Sequence, residues 1–194
     1  MPLKTIDQLL IHNTDTAVKP IIGNKEIEKV MAEATYNASQ LPFEAWAKED
    51  IESKIEAPAI EGHLSEVYNS MAKAGTVNDK LNTLSYFESI ILNSNVANRL
   101  INSAFMSLLM KLLKTVKSAH LKLRLCSIIG QLVRHSTVIG NQVAESGLCA
   151  LLAEVSKDKN EKVRRKAVAS LGEFLFYAAT QLDDEQADQV WEIP

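Results

Sequence analysis

Glycine and proline are scarce in this chain, 7 and 5 among 194 residues, which excludes collagen-like and turn-rich β architectures. Only two cysteines occur, Cys126 and Cys149, with no Cys or His partner at metal-ligand spacing. A disulfide framework is excluded, and both thiols read as reduced core side chains of a cytoplasmic protein. No apolar run approaches the roughly 20 residues of a membrane span, because Lys111 and Lys114 interrupt the longest one. The start lacks the hydrophobic block of a signal peptide, so the formal sequon Asn37-Ala38-Ser39 carries no meaning. Neither charge sign dominates: 21 Lys and Arg stand against 24 Asp and Glu, a net of −3. Such a chain is not a non-specific nucleic-acid binder.

Catalytic signatures are missing as well. The seven glycines include no Gly-x-Gly pair, so the dinucleotide fingerprint, the P-loop and the kinase glycine loop are excluded. There is no Gly-x-Ser-x-Gly elbow and no His-Glu-x-x-His. His12, His63, His120 and His135 are scattered without ligand spacing and read as surface or helix-end residues. We expect no catalytic residue, cofactor or metal in this chain. An enzyme with an unrecognised site is the opposing class.

What is present is helical. Residues 1–59 hold four of the five prolines and short apolar bursts, which predicts an irregular strap with short helices near 6–10 and 44–55. Its end is acidic: positions 44–66 carry seven carboxylates against Lys48 and Lys54. Across residues 60–194 the 3.6-residue period takes over. Ile60, Leu64, Val67 and Met71 form one stripe, with Gly75 placed as its stop. Leu81, Leu84, Phe87, Ile90 and Ile91 form the next, with Asn78 or Asp79 as candidate cap; Asn160 is the candidate cap of the last helix.

These helices repeat. A shift of 42 brings Leu81, Leu84, Phe87, Ile90 and Ile91 onto Leu123, Cys126, Ile129, Leu132 and Val133. A second shift brings the last four onto Val168, Leu171, Phe174 and Leu175, while Leu123 lands on Arg165. A shift of 43 aligns Leu100, Phe105, Leu108, Leu109 and Leu112 with Val143, Leu148, Leu151, Leu152 and Val155. Self-similarity at this period marks a stacked helical repeat. The stretch 141–175 resembles one armadillo repeat: a short helix, a turn at Gly147, a second helix, a polar loop and a long third helix. The expected fold is an all-α, right-handed armadillo/HEAT-like solenoid with an irregular N-terminal strap. The alignment places Ile129 and Leu171 in the core, so an Asp at either position is expected to unfold the chain.

The stretch Leu9-Leu-Ile-His-Asn-Thr-Asp15, Val18-Lys-Pro-Ile-Ile22 and Asn24 resembles the strap that follows the catalytic domain in the Runkel/Fused group of serine/threonine kinases and pseudokinases. Lys80-Leu-Asn-x-Leu84, Asn95-Val-Ala-x-Arg-Leu100, Ile128-Ile-Gly-x-Leu132 and Leu171-Gly-Glu173 resemble that family's first repeats, and Trp191-Glu-Ile-Pro194 resembles the start of the next. The resemblance implies a regulatory segment beginning just after a kinase lobe, with cytoskeletal, cytokinetic or ciliary roles. The family's ATP site carries over to no residue here. A self-standing armadillo-repeat adaptor is the other reading.

Armadillo domains such as the importins bind extended peptides through Trp and Asn ladders on their third helices. The matching positions are Ser85, Ser127 and Ala169, and Ser89, Gln131 and Glu173, so importin-like recognition does not carry over. Charge gives the other hint. Between Glu88 and Glu145 there is no acidic residue, while Arg99, Lys111, Lys114, Lys117, Lys122, Arg124 and Arg134 are all cationic. Arg164, Arg165 and Lys166 form a second cluster, and Ser127 and Gln131 add polar positions beside Arg124 and Arg134. Such a stripe steers acidic partners, so an acidic or phosphorylated protein, including a cytoskeletal one, is the expected partner. A membrane is not expected, and without interleaved aromatics nucleic acid is disfavoured. The strap's Ile6, Leu9, Leu10, Ile21, Ile22, Leu41, Phe43 and Trp46 are expected to cover the helices at 60–71 and 81–91.

Overall fold

The computed structural model describes residues 35–54, 58–73 and 75–181. Among them the chain forms nine α-helices, one 3-10 turn and no strand, so the fold is all-α. After the turn Ala38–Gln40 come α1 (Lys48–Lys54), α2 (Pro58–Lys73), α3 (Val77–Ile90), α4 (Ser94–Ile101) and α5 (Ala104–Thr115). Then follow α6 (Ala119–His135), α7 (Asn141–Ala144), α8 (Leu148–Val155) and α9 (Glu161–Gln181). The helix expected at 6–10, and Ile6, Leu9, Leu10, Ile21 and Ile22 of the strap, lie outside the described residues.

Helix starts are set by short polar side chains that accept the first free backbone N–H groups. Asn93 starts α4, Ser103 α5 and Ser118 α6. Asn160 accepts from the N–H groups of Lys162 and Val163, as its position suggested. At α3 the cap is Thr76 rather than Asn78 or Asp79; Asp79 closes a capping box onto the Thr76 backbone. That box places the caps three residues apart, where one side chain reaches each free donor. Gly147, φ +78°, supplies the left-handed turn between α7 and α8. Gly75 stands two residues past Lys73, the last residue of α2, at the C′ position its sequence suggested. The helix expected from 44 begins instead at Lys48; residues 44–47 are not helical, and the Trp46 N–H there is donated to the Tyr86 hydroxyl.

The centre of the fold is α6. It packs most heavily on α9 and also meets α3, α4 and α5. Leu125, Cys126, Ile128, Ile129 and Leu132 are fully buried there. α9 comes close to α6 at Gly130, where a Cβ would lie 2.7 Å from Ser170 Oγ and 3.2 Å from the Ser170 Cα. Ser170 donates its hydroxyl to the Cys126 carbonyl at 2.5 Å, bonding one helix to the open lone pair of the next.

The apolar stripes of α2, α3 and α6 are buried as their spacing implied, with Leu81 and Leu123 at the margin. On α9 the expectation fails in part. Phe174 is buried, but Val168 is 56% exposed, although Cys126 and Leu84 in the same register are at 0%. Leu171 and Leu175 are only half-buried. The reason is the neighbour: α9 covers α6 as α6 covers α3, and no described helix covers α9 in turn. Asp at Ile129 therefore remains an unfolding change, whereas Asp at Leu171 keeps access to water and costs far less. Gly130→Ala tests the close approach. It should lower stability by about 1–3 kcal/mol, read as a reduced midpoint in urea unfolding, while Gly172→Ala, with open space at its Cβ, should not.

Candidate interaction surface

The long helices α3, α6 and α9 lie in series, and charged side chains bridge them. Arg124 on α6 pairs with Glu88 on α3, whose side chain is only 7% exposed. Arg134, near the end of α6, pairs with Glu173 on α9 at 2.8 Å. Lys122 reaches Asp158 in the loop before α9 at 2.5 Å. Arg99 on α4 pairs with Glu61 on α2. Hence four of the seven cations between residues 89 and 144 meet a carboxylate from an adjoining part of the fold.

The second cluster is also partly engaged. Arg165 pairs with Glu161 one turn away, and Arg164 donates to the carbonyls of Asp158 and Lys159, each at 3.0 Å. Lys166 is half-exposed and its carbonyl accepts from Ser170. Ser127 is buried on α6, and Gln131 Nε2 donates to its hydroxyl at 3.4 Å. What remains outside is Lys111 and Lys114 on α5 and Lys117 in the following link: all exposed, with no carboxylate within ion-pairing distance among the described residues. Lys114, Lys122 and Lys157 line one cleft together with Leu113, Leu151, Val155, Glu154 and Asp158.

Sequence reasoning singled out the cations without their partners. Glu88, Asp158 and Glu173 stand 36, 36 and 39 residues from Arg124, Lys122 and Arg134. That offset, close to the repeat length, was the available signal. His63, expected at the surface or a helix end, is instead buried within α2 in an aromatic cluster where Phe43, Trp46 and Tyr86 converge, because the strap covers that face. Leu41, Phe43 and Trp46 of the strap do pack on the core, joined by Tyr36 and by Ile51 of α1. No three His, Cys, Asp or Glu side chains among the described residues converge on a metal-sized position. No described helix is long and apolar enough to cross a membrane.

Comparison with known proteins adds the lineage. The chain is 33% identical over 172 residues to the serine/threonine-protein kinase RUNKEL of Arabidopsis thaliana, a match covering 88% of this chain. It is 24% identical over 193 residues to the serine/threonine-protein kinase ULK4 of Mus musculus, covering 96% of this chain. The chain is related to a region of these kinases. It spans only 12% and 15% of their respective lengths. No family model and no solved structure matches the chain.

The Lys122–Asp158 pair yields a pH test. The hydrogen bond from Lys122, then the Asn160 N–H, holds the Asp158 carboxyl below its ordinary 3.8. The folded state therefore favours the carboxylate, and its contribution is present above pH 3.8 and lost as pH falls below it. Asp158→Asn should cost about 1 kcal/mol at pH 7, and in urea unfolding the gap from wild type should shrink towards pH 3.

Proposed function

We propose that this chain is a non-catalytic protein-interaction and regulatory segment of a Runkel-like serine/threonine kinase, lying after the kinase lobe and folded as an armadillo-like solenoid. The observation that carries this reading is relationship to kinases without any kinase motif in the related stretch. The repeat geometry supports the solenoid. Among the described residues every long-range side-chain hydrogen bond or ion pair spans 36–45 residues, except the 23-residue step from His63 to Tyr86. Contacts confined to the next unit are what a quasi-one-dimensional stack produces.

On this reading the segment works in the cytoplasm and positions the kinase lobe against partners in cytoskeletal, cytokinetic or ciliary processes. Its docking edge is the unpaired set Lys111, Lys114 and Lys117, which suits an acidic or phosphorylated protein segment. Arg99, Lys122, Arg124 and Arg134 serve the stack itself.

Two measurements test this. Purified chain should neither bind ATP nor transfer phosphate, and saturable turnover would refute the non-catalytic assignment. Binding of a glutamate-rich or phosphorylated peptide, followed by fluorescence anisotropy, should weaken at least tenfold when Lys111, Lys114 and Lys117 are all changed to Glu. Equal affinity for the triple variant would move the docking edge elsewhere.

A further inference from the structure

His63 lies on α2 with 3% of its surface exposed. Its ring stacks on the Trp46 indole, centroids 4.3 Å apart and planes 8° from parallel. Phe43 meets it edge-on at 5.8 Å. Nε2 is 2.5 Å from the Tyr86 hydroxyl of α3, and that same hydroxyl accepts the Trp46 N–H at 3.2 Å. Tyr36 packs edge-on to Tyr86 at 5.2 Å. Thus, beside the packing of Tyr36, Leu41, Phe43 and Trp46, segment 36–46 is tied down by the histidine–tyrosine pair and by reciprocal bonds in which Asn37 N donates to Asn82 Oδ1 and Asn82 Nδ2 donates to the Asn37 carbonyl.

The geometry points to a proton-controlled latch: segment 36–46 is clamped on α2 and α3 while His63 is neutral, and is released when the imidazole takes a second proton.

The hydrogen bonds give the reason. Burial raises the Tyr86 phenol to about 12, so it keeps its proton throughout the range in question. With its oxygen accepting from Trp46, its O–H is free to donate to Nε2. An imidazolium has no acceptor to offer. Its Nε2–H would face the Tyr86 oxygen and strip the phenol O–H of its acceptor, and the positive ring would be buried with Nδ1, which has no partner in either protonation state.

The surrounding charges oppose one another. Burial holds the His63 ring below its ordinary 6.5, against the pull of Glu66 on α2 and Glu44 on the strap. The Lys54 ammonium of α1 lies 4.9 Å from the Trp46 ring centroid, so an imidazolium stacked on the same indole would share it with a second cation. Because the folded value is the lower one, the latch is strongest above pH 6.5 and weakens as pH falls below it. A cleft lined by Phe43, Glu44 and Glu66 opens beside the cluster and brings water to its edge.

This inference is independent of the kinase relationship and of the lysine edge. It is tested in the full chain carrying Trp191→Phe, so that Trp46 is the remaining tryptophan. Its emission should change through a single-proton transition between pH 7.5 and 5.0 while far-UV helical signal stays constant. His63→Gln should abolish the transition. A flat profile in the parent, or an unchanged transition in His63→Gln, would overturn the latch. Should His63→Gln fail to fold, amide exchange of the parent decides. Corrected for intrinsic rates, protection of residues 36–46 should fall at least tenfold from pH 7.5 to 5.5 relative to α6, and equal protection at both pH values would overturn it.

Discussion

A backbone-to-backbone approach at Gly130 sets the spacing on which the C-terminal half of the structure depends. With Ser170 Cα only 3.2 Å and Ser170 Oγ 2.7 Å from where a Cβ would stand, α6 and α9 meet too closely at that point for even a methyl group without a shift. The closeness brings the Ser170 hydroxyl onto the Cys126 carbonyl and leaves Ile129 and Leu132 with no solvent. It also aligns Arg134 with Glu173 and Tyr177 with the Ile139 carbonyl, since all these groups sit on the same two helices or the loop between them. Hydrophobic area alone does not choose among the ways two apolar stripes can slide; polar bonds at fixed intervals do.

Most of this fold was legible because its signals are local. Caps, the left-handed glycine at 147 and the apolar stripes depend on residues within one or two turns of each other, and a 3.6-residue period reports them directly. The margins were not legible. Val168 carries the same sequence signal as Cys126, yet one is exposed and the other buried, because burial belongs to the neighbour and not to the stripe. In the same way the non-helical stretch before α1 is tied down by Tyr86, 40 residues away, whose hydroxyl accepts the Trp46 N–H. No window around residue 46 contains that information.

Charge was the least legible feature for a related reason. A run of seven cations without an acid between residues 89 and 144 reads as a one-signed field when only the chain is in view. Folding brings in acids from outside that run: Glu61 and Glu88 from before it, Asp158 and Glu173 from after it. The cations that stay unpaired share the end of α5 and the link after it. The exposed pairs contribute little energy, Arg99–Glu61 among them with a 62% exposed carboxylate. Their weight lies in register, because a slide by one turn would leave Glu88 buried without its guanidinium.

One register position shows how period and chemistry divide the work. Tyr86, Ile128 and Ser170 are spaced by 42, and all three are buried. Tyr86 and Ser170 both turn a hydroxyl towards the part of the chain that precedes their helix. Tyr86 faces the strap and α2, where an aromatic ring fills the space beside Phe43 and Trp46 and its hydroxyl meets His63. Ser170 faces α6, where the approach at Gly130 leaves room for nothing larger. Ile128 has no polar atom to place and is fully covered. The repeat thus fixes where a side chain stands, and the neighbour fixes its size and polarity. A tyrosine cannot serve at 170, nor a serine at 86, without either a collision or a hole between the strap and α3.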